Sequence, residues 1–387
     1  MTAETITLGC RLNFAESEAM TAGAPEGSLI INSCAVTSEA VRQTRQTIRR
    51  AYREKPERAI IVTGCAAQLE PDAFRAMPEV AEVRTRDDAL PARAAAGLIH
   101  QVKSFVAVQT GCDHRCTFCT IWAARGPSRS VPYVEVRRAV ERELGRGAKE
   151  IVLTGVDITD YACPERSRGA GGLGLLCQRL LTDLPELKRL RLSSLDSIEI
   201  DGALLELIAG ELRLMPHFHL SLQAGDDLVL KRMKRRHLRR DAVAMVAAIK
   251  RARPDATIGA DLIAGFPTES EEAALNTLRL LDDCDVVAAH IFPFSPRPGT
   301  PAARMPQVER ETVKARAARL RDYAEQRRIR WLDCLIGSRQ RVLVESDRGH
   351  GHGASNAPVR LEGAAKGNIH DATIRARDGN QLIWNIE

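Results

Sequence analysis

Short β-prone runs alternate with helical stretches along most of this 387-residue chain, and that alternation limits its fold more than any other feature. Near the amino terminus Thr5–Leu8, Ser28–Ile31 and Ala59–Thr63 read as strands. Asn13, with Glu16 three residues on, reads as the cap of a helix over Phe14–Met20. Thr37 or Ser38 caps a second helix, Glu39–Glu54, which Pro56 stops. The pattern predicts a doubly wound parallel sheet over residues 1–100. Each strand delivers a cysteine just past its carboxyl end: Cys10, Cys34 and Cys65. In a parallel sheet those ends share one edge, where ligands bind. The three thiols can therefore converge although 23 and 30 residues lie between them.

A second alternation fills residues 101–333. Its strands are Phe105–Gln109, Glu150–Thr154, Arg189–Ser193, Phe218–Leu222, Thr257–Ile263 and Val287–Phe292. Helical stretches Val134–Arg146, Leu173–Leu184, Gly202–Leu212, Asp241–Arg251 and Glu269–Asp282 lie between them. Six strand–helix units fall short of the eight in a closed barrel, so a partial (β/α)6 barrel is expected. A long Arg-rich helix, Val308–Leu332, leads away from it. Residues 334–387 change texture: Ser338–Glu345, Val359–Gly363, Ala372–Arg377 and Gln381–Ile386 are short strands, with Asp378-Gly379 as a hairpin turn. A small C-terminal β-barrel follows. The low-complexity stretch Ser167–Gly174 reads as a loop.

Composition enters through exclusion. With 44% hydrophobic and 27% charged residues, disordered and coiled-coil readings fail. No run of about 18 apolar residues occurs, and Met1–Arg11 lacks the order of a secretory signal, so a soluble cytoplasmic protein without a membrane partner is expected. Ten cysteines in that compartment point to metal or redox chemistry rather than disulfides.

The most specific feature is Gly111-Cys112-Asp113-His114-Arg115-Cys116-Thr117-Phe118-Cys119, directly after the first barrel strand. Three thiolates spaced C-x3-C-x2-C can hold three irons of a 4Fe–4S cube, which usually takes four. The missing ligand leaves one iron open. Zinc, closed by His114 as a fourth ligand, is the structural alternative. Cys163, Cys177, Cys284 and Cys334 show no comparable spacing and read as ordinary residues.

The C-x3-C-x2-C loop, with an aromatic residue before its last cysteine, resembles the radical S-adenosylmethionine (SAM) superfamily, whose open iron chelates SAM. The resemblance implies that Thr154, Gly155 and Asp157, after the second strand, contact the methionine part of SAM. It places Gly259 and Gly265, in Gly259–Glu269, along the adenine, with Phe118 nearby. Cys10, Cys34 and Cys65 ahead of such a core resemble the methylthiotransferases, which add an auxiliary-cluster domain before the core and a TRAM module after it. The clearest stretches are Thr7–Cys10, Asn32–Thr37, Thr63–Gln68, Arg191–Ser194 and Phe292–Thr300. Trp122-Ala123 stands where members often have Pro-Tyr. Two 4Fe–4S clusters and SAM are implied, with no catalytic residue beyond the cluster ligands and an electron donor of flavodoxin or ferredoxin type. One SAM donates a methyl group to sulfur; a second is cleaved to a radical that takes hydrogen from the substrate carbon.

Basic residues bear on the substrate. Lys231–Arg240 carries seven Lys/Arg in ten positions with no acid between them, and Lys231, Arg232, Lys234, Arg235 and Arg236 are candidate RNA contacts. The series Arg310–Arg330 is interspersed with acids and reads equally as a solvated helix face. Lys231–His237, with Leu195-Asp196 and Thr154–Ile158, most resembles the subgroup acting on N6-threonylcarbamoyladenosine beside the tRNA anticodon. Members acting on isopentenyladenosine in tRNA or on a ribosomal-protein aspartate are alternatives, although seven Lys/Arg against six Asp/Glu in Ser338–Glu387 give no acidic tail. A metal-containing RNA-binding protein without catalysis is the alternative of another class.

Overall fold

A computed structural model describes residues 3–21, 24–86, 94–99, 102–163 and 172–385. It begins with β1 (Glu4–Thr7), α1 (Arg11–Thr21), β2 (Leu29–Ser33), α2 (Ser38–Glu54), β3 (Ile60–Gly64), α3 (Cys65–Leu69), α4 (Pro71–Arg75) and β4 (Glu82–Val83). The four strands pair in parallel in the order β1-β2-β3-β4. β2 and β3 are Leu/Ile/Val-rich and buried on both faces, as parallel strands under helices must be. Thr37 caps α2, its Oγ1 accepting from the Ala40 amide at 3.1 Å. Asn13 differs from expectation. Helix α1 starts at Arg11, so Asn13 lies within it; its buried amide instead donates to the Leu8 and Ser33 carbonyls, both at 3.0 Å. That ties together the loops leaving β1 and β2.

The chain continues through β5 (Ala96–Ile99), β6 (Lys103–Ala107), the short β7 (Gln109–Thr110), α5 (Ile121–Arg125), β8 (Arg129–Ser130), α6 (Tyr133–Gly145), β9 (Glu150–Thr154), α7 (Leu173–Asp183), β10 (Leu190–Leu192), α8 (Gly202–Gly210), β11 (His217–Gln223), α9 (Asp227–Met233), α10 (Arg239–Ala252), β12 (Thr257–Ala264), α11 (Glu271–Asp283), β13 (Val286–Pro293) and α12 (Arg310–Cys334). Strands β6-β9-β10 and β11-β12-β13 form two parallel sheets, with β5 antiparallel on the edge of β6. Isolated parallel bridges Leu190–Leu214 and Leu195–Leu220 join the two halves into the expected open six-stranded barrel. Of the expected loop Ser167–Gly174, residues 167–171 lie outside the described residues, while Leu173 and Gly174 open α7.

Strand alternation sorts the barrel residues. Val106, Ile151, Leu153, Leu190, Leu192, Phe218, Leu220, Ile258 and Leu262 join the core under the helices. The opposite parity faces inward. There Phe105, Ala107 and Val152 pack against Leu12 and Ala15 of α1, so the first helix covers one flank of the lumen.

Six further strands, β14 (Arg339–Val344), β15 (His350–His352), β16 (Pro358–Glu362), β17 (Ile369–Thr373), β18 (Ala376–Asp378) and β19 (Gln381–Asn385), make a curled sheet in the order β17-β14-β15-β16-β19-β18. The last expected strand residue, Ile386, lies outside the described residues. This sheet closes the amino-terminal end of the barrel. Arg189 donates to the Arg341 and Gly353 carbonyls at 3.3 and 3.4 Å, and Thr257 Oγ1 donates to that of Ser355 at 2.9 Å. Among the described residues no helix is long and apolar enough to cross a membrane.

Candidate active site

Cys10, Cys34 and Cys65 follow β1, β2 and β3 and come together at the carboxyl edge of the first sheet. The glycines before them show how tightly. Gly9 has φ +105°, and a Cβ there would lie 2.7 Å from Cys34 Cβ and 2.9 Å from its sulfur. Gly64 has φ +91°, and a Cβ would meet the Ser33 carbonyl at 2.4 Å. Only glycine fits both the backbone and the space. Burial pushes the Cys34 thiol up to about 11, and Cys10 and Cys65 add to the rise.

The second trio sits in the loop between β7 and α5. Its Cys112 amide donates to the Gly126 carbonyl at 3.1 Å, and the Ile121 amide donates to Cys119 Sγ at 3.3 Å. Burial pushes Cys112 up to about 12 and Cys119 up to about 11. No disulfide joins the cysteines of either trio.

The two trios are neighbours. Helix α5, which starts two residues after Cys119, packs on α3, which starts at Cys65; Ala124 and Ile121 join the core of the first sheet. Arg125, at the end of α5, is 1% exposed. Its Nε donates to Cys65 Sγ at 3.2 Å, its Nη1 to Glu16 at 2.8 Å and its Nη2 to Asn13 Oδ1 at 2.6 Å. One guanidinium thus fastens the second loop to the first trio and to α1. Farther out, Arg297 Nη1 donates to Ser38 Oγ at 3.3 Å, docking the segment after β13 on α2.

The donor sets fit iron–sulfur cubes better than zinc. Among the described residues no three cysteine sulfurs lie within 4.8 Å of one another. One zinc at about 2.3 Å from each sulfur would draw them to within about 4 Å. Cysteines that each take a different iron stand farther apart. His114 groups with Cys112 and Asp157, their ligand atoms within 4.8 Å of one another, rather than with three sulfurs. It faces carboxylates, with Nε2 3.6 Å from Glu199 and 3.7 Å from Asp157, and Glu199 raises its pKa.

Of the expected SAM-contacting residues, Thr154, Gly155, Asp157, Phe118 and Gly265 stand at or just past the carboxyl ends of barrel strands, whereas Gly259 is the third residue of β12, near the floor end where Thr257 meets Ser355. Gly155 sits where a Cβ would strike the Gln109 carbonyl at 2.8 Å, and Gln109 Oε1 accepts from the Val156 and Asp157 amides, both at 3.0 Å. Thr154 is buried beneath them. Burial, with Glu199, pushes the Asp157 carboxyl up to about 6. Phe118 meets Phe266 edge-on at 6.5 Å. Gly265 has φ +75° and lies under Val313 of α12, while Gly259 leaves room for His219, whose Nδ1 would be 2.5 Å from a Cβ.

The basic stretch divides. Lys231 and Lys234 are exposed. Arg232 donates to the Thr268 carbonyl at 3.2 Å, and Arg236 pairs with Glu199. Arg235 turns inward, donating to Asp196 Oδ2 and the Ser221 carbonyl, both at 2.9 Å, with Nη1 3.9 Å from Cys116 Sγ. Sequence reasoning missed Arg125, Arg297 and Arg11. Arg125 carried one signal, its position six residues past the last cysteine of the loop.

Comparison with known proteins agrees with this geometry. Residues 106–281 match the radical SAM superfamily, and residues 2–84 match a group described as uncharacterized protein family UPF0004. The threonylcarbamoyladenosine tRNA methylthiotransferase of Rickettsia prowazekii is 40% identical over 386 residues, 93% of this chain and 91% of that protein. The protein of that name from Thermotoga maritima is 32% identical, over 88% of this chain and 85% of its own length. The tRNA-2-methylthio-N(6)-dimethylallyladenosine synthase of Erythrobacter litoralis is 31% identical, over 89% and 86%. In fold, the radical SAM methyltransferase TsrM of Kitasatospora setae superposes with a TM-score of 0.51 at 13% identity, over 72% of this chain and 65% of that one. A radical SAM domain brings SAM and a 4Fe–4S cluster as cofactors. The chain belongs to the radical SAM methylthiotransferase family.

Proposed function

We propose that this chain converts N6-threonylcarbamoyladenosine, next to the tRNA anticodon, to its 2-methylthio derivative. The observation that carries the reading is the meeting of two cysteine trios across α3 and α5. The 40% identity to a relative named for that substrate, against 31% to one named for dimethylallyladenosine, supports the choice of base.

In this reading Cys112, Cys116 and Cys119 hold one 4Fe–4S cluster and Cys10, Cys34 and Cys65 a second. Together with SAM they supply radical hydrogen abstraction and the sulfur to be inserted, chemistry that side-chain acids and bases cannot perform on an unactivated C–H bond. The protein's own residues position and shield. Thr154, Gly155 and Asp157 receive the methionine end of SAM, and Gln109 fixes their backbone by accepting from two successive amides. Phe118 and Gly265 line the adenine. Arg125 holds the two trios at a fixed separation, because its rigid fork reaches Cys65, Asn13 and Glu16 at once. Lys231 and Lys234 take RNA phosphates, while Arg232, Arg235 and Arg236 stabilise the loop that carries them. Residues 1–100, 101–333 and 334–387 serve as auxiliary-cluster domain, radical core and TRAM-like module. Electrons arrive from a flavodoxin- or ferredoxin-type donor.

Nucleoside mass spectrometry of tRNA from a strain lacking the protein tests the reading. The 2-methylthio form of threonylcarbamoyladenosine should vanish and its unmethylthiolated parent persist. Loss of the dimethylallyl methylthio mark instead would overturn the choice of base.

A further inference from the structure

The lumen of the barrel is more polar than a packed core requires. On the inward parity stand Glu150 of β9, Arg191 of β10, His217 and His219 of β11, Asp261 of β12 and His290 of β13. Glu150 is fully buried between cations: Arg189 Nε and Arg191 Nε each donate to it at 2.9 Å, and Lys103 stands 3.4 Å away. Lys103 is shared with Glu345, at 2.7 Å.

One of those cations is incompletely used. Arg191 is 3% exposed, and its Nη1 has no hydrogen-bond partner. Two residues on, the buried Ser193 Oγ is likewise unpartnered. A buried donor left unmade costs roughly 1–3 kcal/mol, more for a charged group, which makes a polar ligand or water at Arg191 favourable. Facing Arg191 is Arg11, the residue after Cys10. Its guanidinium lies 5.7 Å from the Phe105 ring centroid and is within electrostatic reach of Arg191, Glu150 and Asp261. Arg11 is open to solvent and lies over Phe105, on the flank of the lumen that α1 covers. Desolvation and the neighbouring cations drive His217 toward its neutral form.

Beside the two guanidiniums, Asp261 Oδ1 lies 3.0 Å from His219 Nε2 and 3.1 Å from His290 Nδ1, and the two rings stack at 4.8 Å. Gly259 makes this possible, since a Cβ there would occupy the His219 ring. Asp261 hydrogen-bonds the exposed His290, while the nearby His219 Nε2 is buried without a hydrogen-bond partner.

Resting on the substrate reading above, we propose that Arg11 and Arg191 bind the carboxylate of the threonylcarbamoyl arm, with His219 and His290, beside Asp261, flanking it. The chemistry of the two candidate bases separates them here. A threonylcarbamoyl arm ends in a carboxylate and carries a hydroxyl and a urea, which match cationic and imidazole donors. A dimethylallyl arm brings only hydrocarbon and would leave Arg191 Nη1 buried and unpaired. A site built to bond a polar group rejects an analogue lacking it far more strongly than an apolar pocket rejects an extra group.

The test is equilibrium binding of the cluster-loaded protein to anticodon stem-loop RNAs carrying threonylcarbamoyladenosine or its neutral methylamide. The free acid should bind about tenfold or more tighter than the amide. Arg11→Gln, at an exposed position, should bring that ratio near one while leaving affinity for unmodified RNA unchanged; Arg191→Gln should do the same. Equal binding of acid and amide by the wild type, or an unchanged ratio in Arg11→Gln, overturns the pocket. A parallel methylthiolation assay separates the two claims. If only dimethylallyl tRNA is converted, the substrate reading fails; if threonylcarbamoyl tRNA is converted but acid and amide bind alike, the pocket alone fails.

Discussion

Arg125 donates its Nε–H to the sulfur of Cys65 at 3.2 Å, across the junction between the first sheet and the barrel. A residue from the segment after one cysteine trio thus grips a member of the other. A shift of either would move both, which is what transfer between two metal centres requires of a scaffold.

Arg125→Ala should cost about 3 kcal/mol, because it leaves Glu16 with Arg86 as its remaining cation. Burial raises the Glu16 carboxyl, but Arg125 and Arg86 outweigh it and hold the pKa below the ordinary 4.5. A depressed carboxylate stabilises above its unfolded pKa and loses that contribution as pH falls through the folded one. The gap between wild type and variant in urea denaturation should therefore be full at pH 7 and narrow below about 4.5. A gap under about 1 kcal/mol at pH 7 would contradict the bridging role.

Gly64→Ala should destabilise by more than Gly27→Ala. Both positions have positive φ, +91° and +72°, so each pays about 1–2 kcal/mol of backbone strain. At Gly64 the new methyl also meets backbone 2.4 Å away, whereas nothing lies within 4 Å at Gly27. Denaturation midpoints compare them, and equal losses would show that the Cys34–Cys65 approach is looser than described.

Most of the architecture was legible because strand and helix periods differ and cysteines mark strand ends. Cys10, Cys34 and Cys65 were predictable from strand topology alone. Asn13 was misread because an Asn before an apolar run has the local signature of a cap. Only the fold reveals that its amide closes the gap between β1 and β2. The Lys231–Arg240 run gave its charge but not its direction; a left-handed Lys234, at φ +61°, ends α9 and turns Arg235 toward Cys116. Arg11, Arg125 and Arg191 lie on separate elements, and no local pattern links any of them to partners reached only through tertiary structure, such as Cys65 for Arg125 and Glu150 for Arg191.

Glu150→Gln should be among the costlier single changes in the barrel, about 3–5 kcal/mol, since the buried Arg189 and Arg191 both pair with that one carboxylate. Thermal unfolding measures it. A loss below about 1 kcal/mol would mean that the sheet closing the barrel floor supplies enough other acceptors.

Lys231→Ala with Lys234→Ala should weaken tRNA binding and flatten its salt dependence by about 0.7 per lysine, the single-strand slope for each phosphate contact. An unchanged slope would remove these residues from the RNA surface.

Iron content is the most direct measurement of the central claim. Anaerobically reconstituted wild type should hold about eight irons per chain, and Cys10→Ser/Cys34→Ser/Cys65→Ser about four. That variant should still cleave SAM under reduction but form no methylthio nucleoside. A wild type saturating at about four irons, or a variant retaining eight, would contradict the two-cluster account.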